Sequence, residues 1–459
     1  MNEFVPLYAS GGDGEALSGE YDVDRMNREF ALVLIGKDTV IHWSRPEFHE
    51  DRWLSVNSFQ NLGLNTSTTV KRGKARPKSM TFVQRWLEDE ARRTYRGVEF
   101  FPNPDGEPGI PGYLNLWRGF SVEPSTKGSC AVFIDHLKTN VCNEDPELFR
   151  WLFGWMAQMV QEPRRKPGTA VVLRGGMGFG KSIVGETLGS LFKPHFVQAE
   201  SERYVTGQFN FHQAQCLLLL ADEAVWAGDK AAEGRIKGLI TSSSNMVERK
   251  GVDAVEVKNF MRLMMTSNND WVVPAGKDER RFAIFDVNPR CAQQHDYFRE
   301  ILDELGAGGR ARLLHELLHF DVSNINLRTI PQTAALFEQK VHTFDPVESW
   351  WFERLQAGEP TRKHGLWPEF CQTEWMIDDY LAAAERVGVG RRATATQFGM
   401  KFAKLMPQAR KERRTFSEDG EMSTRRVWGY ALPELSEARR AFEEACRQPI
   451  DWGEGHQYG

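Results

Sequence analysis

The chain has 459 residues, with 58 Lys or Arg against 63 Asp or Glu, giving a formal net charge of −5. With 41% apolar and 26% charged residues it reads as an ordinary globular protein, long enough for roughly two to four domains. Overall basicity is excluded, so any nucleic-acid surface must be local. Cys130, Cys142, Cys216, Cys291, Cys371 and Cys446 form no C-x-x-C pair and no His/Cys zinc spacing, so reduced, buried thiols are expected. The N-terminus has neither the basic nor the apolar region of a secretory signal. The most apolar helical stretch, Leu148 to Val160, carries Arg150 and is too short to cross a bilayer.

In chain order, Met1 to Tyr21 is glycine-rich and polar. Phe30–Ile35, the turn Gly36-Lys37-Asp38 and Thr39–Trp43 predict a β-hairpin. A basic run, Lys71 to Lys78, precedes Thr81 to Arg93, where Phe82, Val83, Trp86, Leu87 and Ala91 fall on one apolar helical face. Pro102 to Pro111 is dense in turn residues and reads as a boundary. Ser129 to Val160 is mostly helical, and Glu162 to Gly168 is a second punctuated linker.

Val171, Val172 and Leu173 then form a short buried strand, followed by Gly175-Gly176-Met177-Gly178-Phe179-Gly180-Lys181-Ser182 and a helix pattern from Ile183 to Phe192. This is G-x-x-x-x-G-K-[ST] between a strand and a helix, the setting a phosphate-binding loop requires. Glycines let backbone N–H groups curl inward, and the helix N-terminus adds partial positive charge. Gly175 through Ile183 are therefore expected to bind ATP, with Lys181 on the β- and γ-phosphates and Ser182 on Mg2+. Cys216 to Glu223 reads as a central parallel strand ending in two carboxylates. Asp222 is expected to hold Mg2+ through water and Glu223 to polarise the attacking water. A third buried strand, Phe260–Thr266, ends in Ser267-Asn268-Asn269, with Asn268 expected beside the γ-phosphate. Arg280 and Arg281 precede the strand Ala283–Val287, placed to reach a neighbouring subunit's γ-phosphate.

Between these pieces, Asp229–Ser242 is a helix pattern. Met246–Lys250 and Val255–Asn259 are two strands of a hairpin suited to a ring's central channel. Arg249, Lys250 and Lys258 are expected to follow the phosphates of single-stranded nucleic acid there. Beyond Phe320, helix patterns cover Asp345–Leu355, Trp375–Val387 and Thr394–Leu405. Arg391, Arg392, Lys401, Lys404, Arg410, Lys411, Arg413, Arg414, Arg425 and Arg426 then concentrate charge around a loop at Ser417–Met422. Helix, helix and basic hairpin resemble a winged helix gripping DNA outside the channel.

The pieces GGMGFGKS, LLLLADEA, VERKG, MMTSNNDWVVPAG and DERRF occur in this order between Tyr113 and Phe320. Through them the sequence is similar to the superfamily 3 helicases, and within that group to phage and prophage primase-helicases related to the poxvirus primase-helicase. The resemblance implies an AAA+-type core assembled as a hexameric ring that translocates along DNA, with the finger on either Arg280 or Arg281. The residues ahead of the linker show no paired metal-binding carboxylates, so no priming activity is expected from them.

The expected architecture is α/β. An AAA+-type P-loop ATPase core with a parallel sheet (166–330) follows a small α+β region (1–110) and a helical linker (111–165), and precedes a winged-helix-like basic domain (331–459). The expected activity is that of an ATP- and Mg2+-dependent DNA helicase replicating a phage, prophage or mobile element in the bacterial cytoplasm. Single-stranded and forked DNA, further copies of the chain, and a separate primase and polymerase are the expected partners, with no membrane. An AAA+ ATPase that remodels nucleoprotein or loads an initiator without unwinding is the alternative within enzymes. A scaffold or defence sensor with structural nucleotide is the rival from another class.

Overall fold

The structure is a computed structural model, describing residues 17–45, 50–70, 77–223, 230–249, 252–273, 275–416 and 425–453. At its centre stands a five-stranded, all-parallel sheet. Its order is Phe196–Ala199, Leu218–Asp222, Arg262–Ser267, Ala170–Arg174, Phe282–Asp286. Unbroken apolar runs suit such strands because both faces are covered. Leu218, Leu219, Leu220, Val171, Val172 and Leu173 are all fully buried, each worth about 1.5–3 kcal/mol against exposure. Since every strand runs the same way, Arg174, Ala199, Asp222, Ser267 and Asp286 end at one edge. Register sets Thr266 beside Asp222, and Ser267 beside Arg174.

The helix Pro146–Gln161 covers this core and is buried continuously from Trp151 to Val160. Its start is written locally. The Asp145 carboxylate accepts from the Glu147 and Leu148 N–H groups at 2.8 and 3.0 Å, and Pro146 occupies a first-turn position that has no N–H to satisfy. No helix among the described residues is long and apolar enough to cross a membrane. All six cysteines are buried and unpaired, as their spacing implies.

Ahead of the core, the expected hairpin forms from Phe30–Ile35 and Asp38–Arg45. It gains Glu50–Ser55 on one side and a parallel Thr94–Tyr95 on the other. Period-two alternation divides its first strand between two cores. Phe30 and Leu32 face Met26, Phe59, Val83 and Trp86, while Ala31, Val33 and Ile35 join the main core. The apolar face expected over Thr81 to Arg93 is realised only in the helix Phe82–Leu87. Leu87 is half-buried and Ala91 exposed. Asp89 ends the helical run, its carboxylate accepting from the Ala91 N–H at 3.0 Å before the chain enters the Thr94–Tyr95 strand.

A separate core organises the C-terminal part. Its elements run Pro346–Ala357, Phe370–Gln372, Thr373–Arg386, Ala395–Leu405, Arg410–Phe416, Arg425–Ala431 and Leu435–Cys446. The three strands form an antiparallel sheet with Arg425–Ala431 in the middle. Two helices open with capping boxes, Asp345 with Glu348 and Thr394 with Gln397, in each case satisfying orphan N–H groups at both ends of the motif. The loop Ser417–Met422 that the basic strands flank lies outside the described residues.

Phe402 is the hub of that core. It is fully buried, lies edge-on to Trp351 at 4.9 Å between centroids, and contacts Phe398 and Tyr430 at 5.9 and 4.7 Å. Phe402→Ala is expected to destabilise this unit by about 3–5 kcal/mol. Because its core is distinct from the sheet's, denaturant unfolding should separate into two transitions, the earlier one belonging to residues after about 345. A loss below about 1 kcal/mol in a single transition would contradict the two-core description.

Candidate functional site

The glycine-rich loop leaves the Ala170–Arg174 strand at the sheet's C-terminal edge and enters the helix Lys181–Ser190. Two glycines make the curl possible. Gly178 and Gly180 take φ of 80° and 83°, in the left-handed region that side chains rarely adopt. At Gly180 space is also closed, since a Cβ would meet His136 Cε1 and Phe298 Cε1, each at 2.6 Å.

The Lys181 side chain folds back along the loop. Its Nζ donates to the carbonyls of Gly175 and Gly176 at 2.8 and 2.6 Å and to Asn268 Oδ1 at 2.7 Å. Burial draws its pKa below the ordinary lysine value, opposed by the charges of Glu223 and Asp222. Asn268 also donates to Glu223 Oε1 at 2.5 Å, so one amide links cation to carboxylate. Ser182 Oγ donates to Asp222 Oδ1 at 3.0 Å. Asp222 accepts further from Gln198 Nε2 at 3.2 Å and from Thr266 Oγ1. Glu223 holds φ at 54°, unusual for a residue with a side chain; such strain concentrates at working sites.

These residues share one cleft of about 330 Å3, flanked by Met177, Phe298 and Leu302. A glycine loop opening a helix N-terminus, a buried cation and paired carboxylates together fit a polyphosphate with a divalent cation. Among the described residues no three His, Cys, Asp or Glu side chains cluster as a complete metal site. The Ser182 hydroxyl beside Asp222 suits Mg2+ instead, which takes few protein ligands and completes its shell from phosphates and water.

The other expected residues stand elsewhere. Arg280 and Arg281 precede the Phe282–Asp286 strand at the opposite end of the sheet, where Phe282 pairs with Ala170 rather than Arg174. Four residues of strand, about 13 Å, separate those ends. Glu279 organises the pair, its buried Oε1 accepting from the N–H groups of Arg280 and Arg281 at 2.9 and 2.7 Å.

The hairpin forms from Ser244–Arg249 and Val252–Lys258, but its basic residues are not all at the tip. Arg249 ends the first strand opposite Val252, and Lys250 lies outside the described residues. Lys258 pairs with Ser244 at the foot, its ammonium 5.7 Å from the Phe101 ring centroid. Register alone produces this separation, because the last residue of the second strand must face the first residue of the first. In the C-terminal sheet, Arg410, Lys411, Arg413, Arg414 and Arg426 are exposed. Trp428 is 55% exposed, with the Arg413 guanidinium 6.0 Å from its ring.

Gln198 and His136 carry no motif, and Thr266 and Glu279 sit within the MMTSNN and DERRF stretches without a spacing that marks a role for them. A signal for Thr266 existed in the strand lengths, since two parallel strands ending together put it level with Asp222.

Residues 173–281, which span the loop from Leu173, both carboxylates, the hairpin, Asn268 and both arginines, match a family of unknown function, DUF5906. Over 210 residues the chain is 24% identical to the DNA primase-polymerase of Nitratiruptor phage NrS-1, covering 44% of this chain and 29% of that protein. The match thus spans under a third of the relative's length. The structure superposes on the apo C-terminal region of NrS-1 with a TM-score of 0.62 at 15% identity, covering 89% of this chain and 97% of that one. A second apo form of that region gives 0.61 over 89% and 98%, again at 15% identity. The chain shares the fold of that region.

The loop's backbone makes a direct prediction. Gly180→Ala should destabilise the protein by at least about 1–2 kcal/mol, through the left-handed backbone and the closed space together. Gly234→Ala, in the helix Lys230–Thr241 with nothing within 4 Å of its added methyl, should stabilise by about 0.5–1 kcal/mol. Denaturant melts of both variants check the contrast, and equal effects would contradict the assigned loop conformation.

Proposed function

We propose that the chain is a Mg2+-dependent ATPase that moves along single-stranded DNA and unwinds forks during replication of a phage, prophage or related element. One observation carries the reading: Lys181, Ser182, Asp222, Glu223 and Asn268 converge on one cleft at the C-terminal edge of a parallel sheet, where open α/β sheets bind ligands. The shared fold with a region of a phage DNA primase-polymerase supports a replicative setting in the host cytoplasm.

In this reading Gly175 to Ile183 form a P-loop whose N–H groups hold the triphosphate, and Lys181 supplies a fixed cation to its β- and γ-oxygens. Ser182 and Asp222 hold Mg2+, which when bound neutralises charge on the phosphate oxygens. Glu223 polarises the attacking water. Asn268, bonded to both Lys181 and Glu223, registers the γ-phosphate and couples its loss to the strand behind it.

Arg280 and Arg281 lie across the sheet from their own loop, so they act only on a neighbour's nucleotide. That requires a head-to-tail assembly, and closure of such an interface gives a ring, here a hexamer of AAA+ type. The hairpin carrying Arg249, Lys250 and Lys258 enters the channel, with Arg249 at the end of its first strand and Lys258 at the root. The C-terminal unit, with helix–strand–helix–helix–hairpin order, acts as a winged helix holding the fork through its exposed arginines. A separate primase and polymerase complete the replication machinery.

ATP hydrolysis with and without single-stranded DNA tests the reading. Wild-type hydrolysis should be stimulated by the strand. Lys181→Ala should abolish turnover, and Glu223→Gln should retain ATP binding while slowing hydrolysis on the order of a hundredfold or more. Lys250→Ala should keep basal hydrolysis and lose the stimulation. Near-full turnover by Glu223→Gln would overturn the assignment of the water-polarising carboxylate.

A further inference from the structure

Against the glycine loop, formed by residues that do not line the cleft, lies a buried polar chain that the proposed chemistry does not use. The helix Ala131–His136 continues into a π-helical turn, Leu137–Val141, a rare form that recurs at functional positions. His136 is fully buried at the junction and Asn140 is 3% exposed within the turn. His136 Nε2 lies 3.1 Å from the Gly180 carbonyl oxygen, and its Nδ1 lies 3.2 Å from Tyr297 Oη. Asn140 Nδ2 reaches Tyr297 Oη at 3.0 Å and His136 Nδ1 at 3.2 Å. Tyr297 belongs to the helix His295–Glu304, whose Phe298 and Leu302 flank the cleft itself.

Donor logic fixes the protons along this chain. A carbonyl oxygen only accepts, so Nε2 must carry the hydrogen it shares with Gly180. Burial pulls the His136 pKa below the ordinary histidine value, so at neutral pH the ring is uncharged with Nδ1 as acceptor. Nδ1 therefore accepts, facing both the Tyr297 hydroxyl and the Asn140 amide N–H, and Tyr297 Oη also accepts from Asn140. Each member selects the orientation of the next, ending on the Gly180 carbonyl.

That carbonyl matters because of the peptide it belongs to. In a trans peptide the C=O of one residue and the N–H of the next point in opposite directions. Holding the Gly180 oxygen back against His136 turns the Lys181 N–H forward into the cleft. Gly180, with no Cβ and a left-handed φ, offers no side-chain restraint of its own on that peptide.

We infer that His136, oriented by Tyr297 and Asn140, is a positioning residue that locks the Gly180–Lys181 peptide in its phosphate-receiving orientation. The inference rests on the proposed nucleotide reading of the cleft, and it assigns to the helical segment before the sheet a direct hold on nucleotide affinity. His136 is fully buried and is not among the residues that line the cleft. It acts only through the loop backbone. The ring also packs against Tyr297 and Phe298, at 5.8 and 6.0 Å between centroids, so a purely structural role has to be separated from a positioning one.

Equilibrium binding of Mg·ADP to the full chain, measured beside the melting temperature, separates them. His136→Leu keeps an apolar filler but removes the donor, and should raise the Kd roughly tenfold, the scale of one lost hydrogen bond. His136→Gln returns an amide N–H near the position of Nε2 and should recover most of that loss. Recovery of affinity by Gln over Leu, at matched melting temperatures, is the expected result. Equal Kd for wild type, Leu and Gln would overturn the inference, as would equal loss in both variants tracking a shared fall in stability. Should neither His136 variant fold, Tyr297→Phe carries the same test: it removes the hydroxyl that orients the ring through Nδ1 and should still weaken Mg·ADP binding, and an unchanged Kd would overturn the inference. Wild-type protein that binds no nucleotide would instead reject the reading of the cleft itself.

Discussion

Parallel register across three strands is the constraint from which the candidate site follows. Leu218–Asp222, Arg262–Ser267 and Ala170–Arg174 pair so that Asp222 faces Thr266 and Ser267 faces Arg174. A slip by one residue would turn each side chain to the other face of the sheet. Asp222 would lose Ser182 and Thr266, and Asn268 would no longer bridge Lys181 and Glu223. The register is held by burial on both faces, because every residue from Ala170 to Leu173 and from Leu218 to Ala221 is fully buried.

Charge is distributed around that edge with the same economy. Arg174, the last residue before the loop, is 8% exposed and bonds Asp286 Oδ2 at 2.7 Å, the Asp270 carbonyl at 3.0 Å, and Glu338. It ties the loop's root to the strand beside it, to the segment after Asn268 and to the helix Ala334–His342. Gln339 on that helix accepts from the Val272 N–H at 2.7 Å, and Thr343 donates to the Ala275 carbonyl at 2.7 Å. The stretch joining Asn268 to Arg280 and Arg281 is thereby anchored on the element that leads into the C-terminal unit. Lys277 with Glu348 at 2.5 Å and Arg447 with Asp278 at 2.7 Å extend the anchorage. Arg447 and Asp278 are exposed, so that last pair contributes little by itself.

Much of the core was legible because local sequence and tertiary demand agree there. Val171–Leu173 had to be a strand, the glycines had to turn, and Lys181 and Ser182 had to open a helix, so the loop and its carboxylates could be read from spacing. What escaped depended on pairing between distant segments. Thr266 and Gln198 are ordinary polar residues until register brings them to Asp222. Lys258 belongs to the hairpin's foot because Ser244, not Met246, begins the opposing strand. His136 reads as one histidine in an apolar helix, and only its approach to Gly180 gives it meaning. The helix expected to reach Arg93 stops at Leu87, and just beyond it the Asp89 side chain takes the Ala91 N–H, a local competition that apolar spacing does not record.

Strand displacement from forked DNA tests most directly whether this cleft drives a motor on nucleic acid. ATP with Mg2+ should release the labelled strand in wild-type protein, and Glu223→Gln protein bound to the same fork should release almost none. Robust ATP hydrolysis without displacement on any fork would contradict the helicase account, and displacement that proceeds without nucleotide would sever the cleft from the activity altogether.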